Sequence, residues 1–184
     1  IALALGLFIP IFIIYVIELT DKKIRSKHDL KKLNLPSLGE IPFAKPEGRM
    51  RHLLGKKKEA PTIIVNQGVG NVINEAFRVL RTNIEFTERG KQCPVISITS
   101  FQPGSGKTFI SMNTASAFAL KGKRVLVIDG DLRRSSSSGY IGRPSRGLSD
   151  YLAGFVDNVE DVIVPVEDHE NLFVLPVGSI APNP

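Results

Sequence analysis

The chain has 184 residues, a net charge of +6 and one cysteine, which leaves room for about one domain of ~150 residues plus an appendage and excludes an internal disulfide. A lone thiol fits a reducing compartment. The charge is concentrated: residues 21 to 60 hold 12 Lys/Arg against 5 Asp/Glu, the remainder 12 against 13, which argues against a basic nucleic-acid face and for a basic segment of the kind an anionic membrane surface attracts.

Residues 1 to 17 carry no charge or amide and are apolar on every helical face. They read as the C-terminal end of a membrane span, since a whole span needs about 20 residues. A chain that opens on Ile1 rather than Met is expected to be a piece of a longer product. Pro10 is tolerated in a transmembrane helix and Tyr15 suits its interface. Lys22, Lys23, Arg25 and Lys27 follow at once, and by the positive-inside rule they put everything downstream in the cytoplasm. The expected division is a transmembrane helix over 1 to 20, a basic juxtamembrane linker over 21 to 61, and a nucleotide-binding domain over 62 to 184. Within the linker, broken by Pro36, Pro42, Pro46 and Pro61, the apolar piece from Leu38 to Phe43 either adds a strand to the domain or only tethers it.

Over residues 71 to 88 the positions Val72, Ile73, Ala76, Phe77, Leu80 and Ile84 form a helical stripe, which Gly90 ends. This helix carries Glu75, Arg78 and Arg81, whose i, i+3, i+6 spacing turns about 60° per step and keeps them on one broad face. Taken alone, the triplet could be an ordinary charged surface with intrahelical pairing. Cys93 is expected as a small buried residue at the entry to the next strand.

Residues 95 to 100 read as that strand, running into Phe101-Gln-Pro-Gly-Ser-Gly-Lys-Thr108 and then a helix to about Lys121, closed by Gly122. A Gly-rich loop between strand and helix is a phosphate cradle. The backbone N–H groups of Gly104, Ser105 and Gly106 and the helix N-terminus face the anion, Lys107 reaches the β/γ oxygens, and the Thr108 hydroxyl ligates Mg²⁺. Pro103 and Phe109 flank the cradle and belong to the same nucleotide-binding set. The strict pattern asks for Gly where Phe101 stands, so the loop is a variant form.

The short apolar run over 125 to 128 is expected in the centre of a parallel sheet, joined to the loop strand by a right-handed βαβ crossover. Asp129 and Asp131 then fall at the carboxyl end of a central strand, the edge where doubly wound sheets bind ligands. Arg133 opens a Ser-rich loop at the rim. A short helix over 147 to 154, a helix or edge segment over 159 to 165, and a strand over 171 to 176 complete the reading. The fold class is α/β: a P-loop NTPase-like, doubly wound, mostly parallel sheet, preceded by a transmembrane helix.

The variant loop, the apolar strand ending in Asp129-x-Asp131-x-Arg133, the Glu75/Arg78/Arg81 helix ahead of it, and the apolar and basic segments before both occur in one order. In that order the sequence resembles the cytoplasmic domain of bacterial tyrosine kinases of the polysaccharide co-polymerase group. The resemblance implies ATP and Mg²⁺ as cofactors, with Thr108 and Asp129 organising the metal. It implies Lys107, Asp129 and Asp131 as catalytic residues, Asp131 activating the tyrosine hydroxyl or assisting the metal, and Arg133 positioning phosphate or holding its loop. Glu75, Arg78 and Arg81 become the contact between subunits of a ring-like homo-oligomer that phosphorylates itself in trans. The implied setting is the bacterial inner membrane, with membrane lipids and the polysaccharide export or polymerase machinery as partners and no nucleic acid. The implied role is control of capsular or exopolysaccharide polymerisation and export. A further acidic strand (Walker B) and a tyrosine-rich tail would lie beyond Pro184. Partition and septum-site ATPases of the MinD/ParA kind share the sheet but carry a lysine where Gln102 stands. A membrane-tethered ATPase of that kind, and a chain-length scaffold that uses ATP only as an assembly switch, are the two alternatives.

Overall fold

The computed structural model describes residues 2–20, 36–43, 62–66, 70–132 and 137–179, in two units divided after Ser37. Most of the linker lies outside the described residues, and so does Arg133.

In the first unit Ala2–Thr20 forms helix α1, with Pro10 inside it. Its C-terminal turn is closed by the Thr20 hydroxyl, which donates to the Val16 carbonyl at 2.8 Å and so satisfies an acceptor that the helix end leaves open. The large side chains from Phe8 to Leu19 are exposed. At 19 residues the helix reaches about 28 Å, just under the ~30 Å hydrocarbon core. Among the described residues no helix is long and apolar enough to cross a membrane.

The second unit is built around two helices and a small sheet. Helix α2, Val72–Thr87, starts where the Asn71 side chain accepts from the Asn74 N–H, a cap worth about 1 kcal/mol. Its stripe buries Phe77 and Ile84. Helix α3, Lys107–Ala119, follows the glycine loop and packs against α2, with Phe77 meeting Phe109 edge-on at 5.8 Å between ring centres. Strand β1, Val125–Ile128, pairs in parallel with β3, Leu172–Leu175, and the two-residue β2, Val164–Pro165, pairs antiparallel on the other side of β3. The order is β1-β3-β2. Val125 and Val127 turn toward the core that α3 covers, while Leu126 and Ile128 stay exposed, the alternation expected of a strand covered on one face.

Three expectations change here. Residues 95 to 100 are not a strand: a strand exists only through a ladder partner, none of the described strands lies alongside, and Val95, Ile96 and Ile98 are left exposed. For the same reason Cys93 is exposed rather than buried at a strand entry. Asp129 follows an edge strand of the described sheet, with β3 at the centre, rather than a central one.

The apolar linker piece adds no strand either. It lies against α2, where the Leu38 carbonyl accepts from Asn83 Nδ2 at 2.7 Å and Ile41 packs on the core. The stretch from 62 to 66 is held much more firmly. Ile63 and Val65 are buried in the core, and the Asn113 side chain of α3 accepts from both the Ile64 and Val65 N–H groups, at 2.8 and 3.1 Å. Ser116, one turn on, donates to the Val65 carbonyl at 2.9 Å. A segment with no ladder thus has the Ile64 and Val65 N–H groups and the Val65 carbonyl satisfied by side chains of one helix. The apolar Met112, Ala115, Ala117 and Ala119 of this helix are buried. In the fold Asn113 and Ser116 are fully buried as well, because they serve this clamp.

Candidate phosphate-binding site

The loop from Phe101 to Gly106 turns on two glycines. Gly104 and Gly106 have φ of 79° and 88°, a region that costs a side chain but not glycine. A Cβ built on either would meet no heavy atom within 4 Å, so the space above the loop is open. Two hydroxyls fold the loop back on its entry: Ser100 and Ser105 both donate to the Gln102 carbonyl, at 2.9 and 2.5 Å. The first helical hydrogen bond of α3 runs from the Ile110 N–H to the Gly106 carbonyl. The N–H groups of Gly106, Lys107, Thr108 and Phe109 therefore precede the helical ladder, where the backbone offers donors and a partial positive charge. Lys107 Nζ is held by Ser100 Oγ at 3.1 Å and has no ion-pair partner among the described residues. Donors, an uncompensated ammonium and open space are what a phosphate chain requires, so the loop fits a nucleotide.

Asp129 is fixed by a different set of contacts. Its backbone N–H continues the β1–β3 ladder to Leu175. One carboxylate oxygen accepts from the Ser137 N–H and hydroxyl, at 3.0 and 2.6 Å, and the other from the Asp131 N–H at 3.2 Å. Ser137 is buried and opens a short 3₁₀ helix, Ser137–Tyr140, so the loop after β1 is tied to its own first acid. The Asp131 residue is exposed. Among the described residues no three His, Cys, Asp or Glu side chains cluster to hold a metal. Mg²⁺ commonly takes only one or two protein oxygens and completes its shell with substrate phosphates and water, so Thr108 and Asp129 suit a metal that arrives with a nucleotide.

At the carboxyl edge of the sheet the next element is locked in place. Helix α4, Leu148–Leu152, donates its Leu148 and Ser149 N–H groups to the Pro176 and Val177 carbonyls. The buried Asp150 carboxylate accepts from the Gly147 and Ser179 N–H groups at 2.9 and 3.1 Å. Burial alone would raise its pKa, but the hydrogen bonds from Ser179 and Gly147 outweigh it and hold the carboxyl below its ordinary value. Gly147 is obligatory by contact, since a Cβ there would sit 2.3 Å from the Pro176 carbonyl oxygen.

The remaining sequence-predicted residues fall in two places. Pro103 is an exposed member of the loop, whereas the Phe109 ring turns inward onto Phe77, so only its backbone faces the cradle side of α3. Glu75, Arg78 and Arg81 come together around a cavity of about 690 Å³, also lined by Asn71, Ala117 and Leu120, away from the glycine loop. Within that group Glu75 and Arg78 are exposed and 3.7 Å apart. Arg81 reaches inward, donating to the Ala117 carbonyl at the end of α3 at 2.9 Å, with its Nε buried and without a partner among the described residues. Ser100, Asn113 and Ser137 were not singled out from sequence. Each is one polar residue among several, and only the fold shows which backbone group it meets.

These features define a P-loop nucleotide-binding domain, and residues 96–180 match the CobQ/CobB/MinD/ParA nucleotide binding domain. Relatives and solved structures that the chain resembles within that class are named as bacterial tyrosine kinases. The chain is 38% identical over 129 residues to tyrosine-protein kinase CpsD of Streptococcus pneumoniae, covering 67% of this chain and 55% of that protein. It is 30% identical over 190 residues to tyrosine-protein kinase wzc of Salmonella typhimurium, covering 100% of this chain but 26% of that protein. The solved kinase domain of the Escherichia coli tyrosine kinase ETK aligns at 27% identity with a TM-score of 0.74, over 88% of this chain and 63% of that one. The chain thus spans between about a quarter and a half of these curated relatives.

Proposed function

We propose that the chain is the nucleotide-binding part of a membrane-anchored tyrosine autokinase that uses ATP and Mg²⁺ and acts in the polymerisation or export of a capsular or exopolysaccharide. The observation that carries this reading is the glycine loop. It sets backbone donors and Lys107, which has no ion-pair partner among the described residues, beside an open space, with Asp129 fixed at the end of the strand on which α3 packs. Bound ATP with Mg²⁺ supplies a phosphoryl group whose transfer needs mainly positioning and charge stabilisation. In this reading the Gly104, Ser105 and Gly106 amides hold the phosphates, with Pro103 and Phe109 framing the loop. Lys107 neutralises charge on the transferring group, and the Thr108 hydroxyl and Asp129 supply metal oxygens. Asp131, exposed beside Asp129, takes the proton of the tyrosine hydroxyl or assists the metal. Arg133 contacts phosphate or steadies its loop.

Glu75, Arg78 and Arg81 are assigned to contact with a neighbouring subunit, which brings one chain's tyrosines to the next chain's site. The uncharged stretch over residues 1 to 17 is assigned to membrane contact, although α1 itself is not long and apolar enough to cross a membrane, with the basic segment over 21 to 60 against the anionic cytoplasmic leaflet. The names of the relatives, tyrosine-protein kinases including one described from a cps region, support the activity and the polysaccharide role. Replacing Lys107 by Met should lower phosphotyrosine on the full-length gene product by at least about 100-fold in phosphatase-free cells, by removal of charge stabilisation at the transferring group. Undiminished phosphotyrosine would refute the kinase assignment.

A further inference from the structure

A large apolar side chain stands bare at the mouth of the glycine loop. Phe101 is 99% exposed, and its ring meets no other ring and no cation among the described residues. Its backbone, in contrast, is fixed. The Ser100 hydroxyl donates to the Gln102 carbonyl at 2.9 Å and so bridges the residues on either side of it. Ser100 also holds the Lys107 ammonium at 3.1 Å, and consecutive Cα atoms are about 3.8 Å apart, so Phe101 adjoins the residue on which that ammonium rests. The strict loop pattern has glycine here, yet Phe101 is not among the residues of positive φ. The backbone thus carries a side chain at this position without strain, and the space above Gly104 and Gly106 is open. A phenylalanine left wholly in water forgoes the gain that burial brings, and the loop's own hydrogen bonds do not call for it. A ring fixed at its root and free on both faces suits a flat apolar partner.

We propose that Phe101 is the surface on which the ring of the acceptor tyrosine packs, and that it selects a phenolic hydroxyl over that of serine or threonine. This rests on the kinase reading of the glycine loop and adds how the acceptor is held there. In that reading Lys107 serves the β/γ end of the nucleotide, and the acceptor hydroxyl must reach the same end. The phenol oxygen bonds to the γ-phosphorus, the bond from that phosphorus to its bridging oxygen breaks, ADP leaves, and the phenol proton passes to Asp131 or to solvent. A tyrosine set for this step has its ring just outside the reacting oxygen, at the rim where Phe101 stands. Rings with centres about 4.5–7 Å apart, offset or edge-on, attract one another beyond the area they bury. Serine and threonine bring no ring to that rim, and the nucleobase lies at the far end of the nucleotide from Lys107.

The test uses the full-length gene product with Mg²⁺·ATP and two peptides identical except for a single tyrosine or serine. Wild type is expected to phosphorylate the tyrosine peptide in strong preference. Phe101→Ala should raise KM for that peptide by about 3- to 10-fold, with kcat, the affinity for Mg²⁺·ADP and the melting temperature unchanged. Phe101→Leu, apolar but not flat, should recover little of that loss, and Phe101→Trp most of it. An unchanged KM in Phe101→Ala, alongside an inactive Lys107→Met, overturns the proposal and leaves the kinase reading standing. Full activity in Lys107→Met overturns both. A wild type that modifies the two peptides equally, or neither, removes the selection of tyrosine. Weaker Mg²⁺·ADP binding in Phe101→Ala would put the nucleobase on the ring, and a lowered melting temperature would put the ring inside the full-length fold; either result overturns the proposal.

Discussion

The glycine loop and the helix it feeds differ sharply in how they are held. From Val95 to Ser105 most side chains are exposed and the backbone is shaped by Ser100, Ser105 and two positive-φ glycines. From Met112 to Ala117 every residue of α3 is buried, and the helix is cross-linked to residues 62 to 66 through Asn113 and Ser116. The loop can thus stay open to a ligand because the helix beneath it cannot shift. Sites that must move are drawn from the weakly held parts of a fold, and they function when set on rigid ones.

Substitutions can break this contrast from either side, and the largest stability effect should fall on the helix. Asn113→Leu strands the buried Val65 N–H and the part-buried Ile64 N–H, at about 1–3 kcal/mol for a buried group, and should lower the unfolding free energy by about 2–4 kcal/mol in urea titration. Lys107→Met, in the loop, should leave the same titration within about 0.5 kcal/mol while phosphotyrosine is lost. Asp150→Ala leaves the Gly147 and Ser179 N–H groups without their acceptor and should cost about 2 kcal/mol, with the loop again unaffected. Ser137→Ala removes one of two donors to a single Asp129 oxygen. It should change stability by only about 1 kcal/mol and weaken Mg²⁺-dependent nucleotide binding more than metal-free binding.

A smaller, pH-dependent effect belongs to the buried side. His169 Nδ1 lies 3.1 Å from the Ser116 hydroxyl, and burial holds its pKa below the ordinary value against the opposing pull of Asp168. The unfolded chain therefore binds a proton more readily than the folded one. Stability should be complete above the unfolded histidine pKa of about 6.5 and decline as the pH falls below it. The melting temperature of His169→Gln should decline less between pH 7 and 5. An equal decline in both proteins would remove His169 from the account.

Legibility followed the same division. The helix bearing the Glu75 triplet, the loop and its helix, the 125 to 128 strand and the 171 to 176 strand could be read from periodicity and glycine placement, because those signals are local. The clamp on residues 62 to 66 could not, since Asn113 and Ser116 look like polar breaks in an apolar face until the partner 48 to 51 residues away is in place. The stretch from 95 to 100 failed in the opposite way. Its composition suits a strand, but pairing depends on a neighbour that a local pattern does not reveal. Arg81 shows the limit of angular reasoning: spacing put it on a broad face with Glu75 and Arg78, whereas its length lets the guanidinium reach back to the Ala117 carbonyl.

The central claim is that nucleotide sits on the glycine loop and not in the cavity of about 690 Å³ beside Arg78 and Arg81. Amide hydrogen exchange of the intact chain with and without Mg²⁺·ADP tests it most directly. The account predicts slowed exchange at Gly104 to Phe109 and at Ser137, with residues 70 to 81 unchanged, and loss of that protection in Lys107→Met. Protection confined to the first turns of α2 and the end of α3 would contradict it.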